Sequence, residues 1–252
     1  MTPLTSPPHG SDPLLLTIDI SNTGIKFGIW PGTRDDLLAR WRIATDREKT
    51  ADEYAMLLAD LCRHAGLQFD AINAVILASV VPPLTSVFQE LSTRYLGREP
   101  IVITHQMDLG IRLRVDNPWE TGADRMISCL AAHRIYGGPA IVIQFGTATS
   151  FDCVSPEGDF LGGAIAPGLG ISAEALARAG ARLFQVELAP PPAALGTNTI
   201  HSMQSGIVYG HVGLVEGLVA RLRAELPGGE RARVIAHGGL ADLMARVTPC
   251  ID

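Results

Sequence analysis

Four short stretches carry side chains whose types and spacing suit the handling of a phosphorylated ligand. The first is Asp19-Ile20-Ser21-Asn22-Thr23-Gly24-Ile25-Lys26. A carboxylate at the end of an apolar strand, beside a tight polar turn, could hold a hydrated Mg²⁺ against phosphates. The turn amides, Asn22 and Thr23 would take phosphate oxygens and Lys26 would neutralise charge. Asn-Thr-Gly is also ordinary hairpin chemistry, and alone this stretch favours a plain turn. The second stretch is NPWETGADR, residues 117–125. Gly122 permits close backbone approach, Asp124 could act as general base on a substrate hydroxyl, and Arg125 could bind an anionic substrate. An Asp that merely complements a helix N-terminus is an equal reading. The third is the turn after Gln144, where Thr147 and Thr149 could contact a nucleotide phosphate or only bond within the turn. In the fourth, residues 195–204, Thr199 could reach a ligand, although helix capping is the commoner role for such a residue. His201, His211 and His237 lack metal-ligand spacing.

These stretches need elements to hold them. Residues 14–20 read as a buried strand, 25–30 as its hairpin partner and 41–44 as a third short strand. Residues 51–66 form an amphipathic helix, with Tyr54, Leu57, Leu58, Leu61 and Cys62 on one face. A strand over 71–81, a helix carrying Leu84, Val87, Phe88, Leu91 and Tyr95, and a strand over 101–104 complete a mixed α/β unit. A second unit opens with a helix from Gly122 to Tyr136. It continues with a strand over 140–145, a small-residue turn over 146–150, a strand over 151–154 and a third strand into Gly162-Gly163. Helices over 172–182 and 201–226 follow, the latter with Ile207, Leu214, Leu218 and Leu222 on one face, then a strand over 233–236. Asp19 and Gln144 each sit near the end of the first strand of a unit, about half the chain apart, which is an internal repeat at domain scale. The boundary between the halves is expected around residues 115–117, giving domains over 14–115 and 116–252. Residues 1–13 read as a Pro/Ser/Gly-rich disordered tail with no signal-peptide core.

Composition narrows the function classes. With 47% hydrophobic and 18% charged residues over 252 positions, the chain can bury a substantial core. The net charge of −6 and the lack of a basic block argue against a nucleic-acid partner. No apolar run reaches membrane-spanning length, which argues against a membrane partner. Cys62, Cys129, Cys153 and Cys250 are scattered and read as reduced thiols of a cytoplasmic protein.

Taken in order, IDISNTGIKFGIW, WRIATD, ASVVPPL, DNPWETGADR, FGTATSFD, LGGAIAPGLGISAEAL, NTIHSMQSGIVYG and HGG resemble the type III pantothenate kinases. These belong to the acetate and sugar kinase/Hsp70/actin superfamily. The resemblance implies an α/β protein of two RNase H-like, actin-like ATPase domains flanking a nucleotide cleft. It implies a homodimer whose second domain supplies the contact. It implies transfer of the ATP γ-phosphoryl group to the primary hydroxyl of pantothenate, a small-molecule substrate, in the first step of coenzyme A biosynthesis. Asp19, Ser21, Asn22, Thr23, Gly24 and Lys26 would form the ATP-phosphate loop, and Thr147 would touch the nucleotide. Asp124 would be the catalytic base. Val115, Gly122, Ala123, Arg125 and Thr199 would line the substrate, Thr199 from across the dimer. ATP, Mg²⁺ and K⁺ would be the cofactors, with Asp19 and Gln144 at the metal positions.

The chain departs from the family pattern at several ligand-facing positions. Ser21 stands where the family has Gly, Gln144 where it has the Asp tied to a monovalent cation, and Val115 where it has a substrate-contacting Tyr. His237 replaces a Thr, and the chain ends at Asp252, before the family's last segment. A neutral amide at 144 weakens the K⁺ site, since hard cations favour carboxylate oxygen. Two alternatives to an active pantothenate kinase follow. One is a divergent paralogue with another hydroxyl acceptor. The other is a catalytically silent binding or regulatory relative.

Overall fold

A computed structural model describes residues 13–32, 36–180 and 183–252. Apart from Pro13, the expected N-terminal tail lies outside the described residues, as do 181 and 182 at the end of the helix expected over 172–182. The chain forms two compact units. Among the described residues, one comprises 13–107 together with Gly122–Asp124; the other comprises 108–121 and those from 125 to 252.

In the first unit, β1 (Leu14–Ile20), β2 (Gly24–Pro31) and β3 (Ala39–Ala44) form an antiparallel meander. The chain then crosses through α1 (Ala51–His64) to β4 (Ile72–Ser79), which pairs parallel with β1. Next come α2 (Pro82–Leu91) and the short β5 (Ile101–Val102), giving sheet order β3-β2-β1-β4-β5. Alternation sends Leu16, Ile18 and Ile20 of β1 and Ile25, Phe27 and Ile29 of β2 into one core with Tyr54 and Leu58 of α1 and Phe88 of α2. The Tyr54 and Phe88 rings pack with centroids 4.7 Å apart. The start of α1 is fixed by a capping box in which Thr50 and Glu53 each take the other's backbone N–H.

The second unit repeats the progression. α3 (Ala123–Tyr136), which belongs to this unit from Arg125 onward, leads into β6 (Ala140–Phe145), β7 (Ala148–Val154) and β8 (Phe160–Pro167), an antiparallel meander. Then come α4 (Leu169–Ala179), α5 (Thr199–Gln204) and α6 (Gly210–Glu225). β9 (Arg233–Gly238), parallel to β6, and α7 (Ala241–Val247) complete the unit. The sheet order is β8-β7-β6-β9. β6 is apolar along nearly its whole length because both its faces are covered. Ile141, Ile143 and Phe145 pack with Val215 and Val219 of α6 and Met244 of α7, whereas Ala140 and Val142 pack with Cys129 and Ala132 of α3.

Three expectations need correction. The turn expected over 146–150 shrinks to Gly146-Thr147, because the Gly146 N–H donates to Ala148 O at 3.0 Å and Ala148 already pairs with Pro167 of β8. The helix expected over 172–182 is α4, which begins at Leu169. The helix expected over 201–226 is interrupted by a wider i→i+5 turn at Ser205–Tyr209. That turn rotates the apolar face, so the deepest residues of α6 are His211, Val215 and Val219, with Leu214, Leu218 and Leu222 only partly buried. Burial pushes the Cys62 and Cys153 thiols up to about 11 and that of Cys129 upward as well, which keeps these three unreactive at neutral pH. Among the described residues no helix is long and apolar enough to cross a membrane.

Candidate active site

The β1–β2 register puts Asp19 directly opposite Lys26, and Lys26 Nζ lies 2.8 Å from Asp19 Oδ2. Both side chains leave the sheet on the face away from the apolar core, as alternation requires. The turn between them is closed from within. The Ser21 N–H donates to Gly24 O at 3.0 Å and the Ser21 hydroxyl donates to the same oxygen at 2.8 Å. The extra side chain at Ser21 is therefore folded back onto the turn's own carbonyl.

The loop after β3 holds this turn from outside. The Thr45 hydroxyl donates to Ser21 O at 2.6 Å, and Arg47 Nη2 donates to the Asn22 side-chain oxygen at 2.9 Å. That loop is itself tied to α1, since the Tyr54 hydroxyl donates to Asp46 O at 2.7 Å. Sequence reasoning did not connect Thr45 and Arg47 with the turn. Their signal was a polar run following a strand that pairs with the hairpin.

Gly122, Ala123 and Asp124 belong to this same unit. A Cβ on Gly122 would lie 2.6 Å from Asp124 Oδ1 and 3.3 Å from Val80 Cγ1. Val80, one residue past β4, donates its N–H to Ile20 O at 3.0 Å. The Asp124 carboxylate thus lies over a glycine that packs beside the strand end bearing the Ser21–Gly24 turn. Ala123 is buried.

In the second unit, Gly146 and Thr147 are exposed at the tip between β6 and β7. Gly168, which opens α4, donates its N–H to Thr147 O at 3.1 Å, and a Cβ there would run into the Gly146 and Thr147 carbonyls. The first turn of α4 therefore opens beside Thr147. Gln144, half-buried, lies between Ser150 and His237 in the ladder. Thr149 is not a phosphate ligand by placement: it is fully buried, with its hydroxyl 3.0 Å from Nε2 of His211, which is also buried.

Arg125 is held by a residue that spacing did not reveal. Its Nε and Nη2 lie 2.7 and 2.5 Å from Asp152 Oδ1, and the guanidinium stacks over the Phe160 ring at 5.3 Å. Asp152 is 1% exposed. A charge inside an apolar strand needs a partner, and that was the readable signal. Val115 packs on the cluster containing Phe160, 3.5 Å from where a Gly162 side chain would begin. Thr199 is exposed and does not cap α5; Asn198 does, accepting the His201 N–H at 2.9 Å.

A three-stranded meander joined to a parallel strand, present twice, with a polar turn after each first strand, is the architecture of the actin-like ATPases and sugar kinases. The polyphosphate/ATP-glucomannokinase from Arthrobacter sp. superposes with a TM-score of 0.51 at 18% identity, over 95% of this chain and 89% of that one. Sequence narrows the class further. The chain belongs to the type III pantothenate kinase family, whose family model matches residues 15–221. It is 49% identical over 239 residues to the type III pantothenate kinase of Moorella thermoacetica, covering 95% of this chain and 92% of that protein. It is 50% identical over 238 residues to that of Roseiflexus sp., covering 94% and 92%.

Burial holds the His211 pKa below the ordinary imidazole value. The unfolded chain therefore takes up the proton more readily. The stability tied to neutral His211 is present above the ordinary value and is lost as pH falls below it. Thermal midpoints measured from about pH 7 to about pH 5 will fall more steeply for the native chain than for His211→Gln. Parallel slopes would refute a buried neutral imidazole.

Proposed function

We propose that this chain is an ATP-dependent kinase that transfers the γ-phosphoryl group to the primary hydroxyl of pantothenate, the first step of coenzyme A biosynthesis. Family membership over most of the chain supports the reaction class. The observation that carries the site is that Asp124 folds into the unit bearing the Asp19–Lys26 turn, so base and phosphate loop share one rigid support. Phosphoryl transfer needs positioning and charge neutralisation more than covalent chemistry from the protein.

In this reading Ser21 shapes the turn from within, the amides of Asn22, Thr23 and Gly24 and the side chains of Asn22 and Thr23 grip phosphate oxygens, and Lys26 neutralises them. The Asp19 carboxylate at the strand end is the hard oxygen donor a hydrated Mg²⁺ requires. That ion supplies charge neutralisation across the phosphates. Thr147 meets the nucleotide at the mouth of α4. Gly122 and Ala123 admit the substrate, and Asp124 takes the hydroxyl proton as the oxygen attacks phosphorus. Arg125, oriented by Asp152, reads the substrate carboxylate. Asp124→Asn is expected to lower kcat by at least about a hundredfold, followed as phosphopantothenate by mass spectrometry; activity within a few-fold of native would remove Asp124 from the role of base.

The cation requirement follows from Gln144. An amide in place of a carboxylate binds K⁺ weakly. Replacing K⁺ with Na⁺ at constant ionic strength is expected to change the initial rate by less than about twofold, and strong K⁺ activation would contradict this.

The chain acts as a homodimer in this reading. Gly206, Gly210 and Gly213 recur along the α5–α6 helical run where added side chains would meet open space, and Phe184, Leu195 and Ile200 are exposed in the same unit. Such a smooth face suits close helix packing, with Thr199 offered to the neighbouring site. Light scattering is expected to give a dimer for the native chain and a monomer for Gly213→Glu; a native monomer would refute the contact. Free thiols at all four cysteines fit a reducing, cytoplasmic location. Val115 favours one further reading, an acceptor related to pantothenate, because a partly buried apolar side chain there offers no hydroxyl to the substrate.

A further inference from the structure

Lys26 faces a second cation. The β2–β3 register sets Arg42 directly opposite Lys26, as the β1–β2 register sets Asp19 opposite it on the other side. Directly paired residues share a sheet face, so Asp19, Lys26 and Arg42 form a row across three strands on the face away from the unit's core. Like charges placed opposite one another in a ladder are destabilising. The row holds one carboxylate, and it is engaged by Lys26. Among the described residues Arg42 has no hydrogen-bond or ion-pair partner, and it is exposed on an edge strand. Its guanidinium is nonetheless not extended into solvent. A Cβ on Gly24 would lie 2.9 Å from Arg42 Nε and 3.3 Å from Nη2, so the Nε–Nη2 edge of the group turns in against the glycine that closes the turn. The absent side chain at Gly24 makes that approach possible.

We propose that Arg42 is a phosphate-binding residue of this site, presenting its fork of N–H donors to the nucleotide's polyphosphate beside the Ser21–Gly24 turn. The inference rests on the kinase reading of the turn. A polyphosphate is the anion that resolves the Lys26–Arg42 juxtaposition. Its oxygens accept the paired donors that a guanidinium carries and an ammonium lacks. The neighbouring Arg47 is engaged by Asn22, and Arg40, on the same face of β3, stands opposite Gly28, one step further from the turn than Arg42.

Calorimetric titration of native protein, Arg42→Gln and Arg42→Lys with Mg·ATP, ADP and AMP tests the inference. Arg42→Gln is expected to weaken Mg·ATP binding about tenfold and ADP binding less, leaving AMP binding and the pantothenate KM unchanged; Arg42→Lys recovers part of the loss. Unchanged Mg·ATP affinity in a folded Arg42→Gln protein would overturn the assignment while leaving the kinase reading intact. An equal loss for ATP and AMP would overturn it as well, by assigning Arg42 to the shape of the turn rather than to phosphate. Failure of the native protein to bind Mg·ATP would overturn the nucleotide reading of the turn and this inference with it.

Discussion

The parallel pairing of β1 with β4 is the constraint on which the arrangement of the first unit depends. It carries the end of β1 to Ser79 and lets Val80 donate its N–H to Ile20 O. One hydrogen bond past the sheet thereby fixes both the start of the Ser21–Gly24 turn and the surface against which Gly122 packs. Hairpin register alone would have set Asp19 against Lys26, but it could not have brought a segment about a hundred residues away to the same strand end. The long-range pairing is supported by the alternating apolar residues of β1 and the helices that cover them.

Much of this was legible in the sequence where the physics is local. β1 and β6 occupy the residues that their apolar runs suggest, because a strand buried by its neighbours must be apolar along the covered face. Boundaries moved where tertiary contacts added pairing, as at β7, which begins at Ala148 because β8 is there to receive it. The face of α6 was misread because a wide turn upstream breaks the 3.6-residue period, and nothing local in residues 205–209 announces it. The Asp19–Lys26 turn taken alone read as ordinary hairpin chemistry, and it gained weight only from the ordered set of motifs that follows it. Arg42 did not stand out, because an outward cation on an edge strand is the commonest way for a strand to meet water. Its meaning lies wholly in what the register sets beside it.

The two departures at Ser21 and Gln144 differ in physical weight. Ser21 satisfies its hydroxyl on Gly24 O and tightens the turn it occupies. Gln144 replaces a charge by a dipole at the penultimate position of β6, where side chains of Ser150 and His237 flank it across the ladder. A hydroxymethyl group in place of hydrogen adds no charge at the first position, whereas an amide in place of a carboxylate removes one at the second. The fold can absorb both because each lies at a strand end rather than in the cores that Phe88 and Phe145 help to fill.

Arg125 and Asp152 bear on how such a protein can change over evolutionary time. The pair is nearly closed to solvent, with the carboxylate 1% and the guanidinium side chain 18% exposed. Removing one member of a buried ion pair typically costs about 3–5 kcal/mol, against a total stability of about 5–15 kcal/mol for a domain. A lineage that altered either residue first would pass through a poorly folded ancestor, so the two are bound to drift together or not at all. Val115, resting on an apolar cluster at its edge, carries no such lock. Substitution in this neighbourhood is therefore cheaper at Val115 than at either charge, which favours keeping the ion pair while the apolar edge beside it varies.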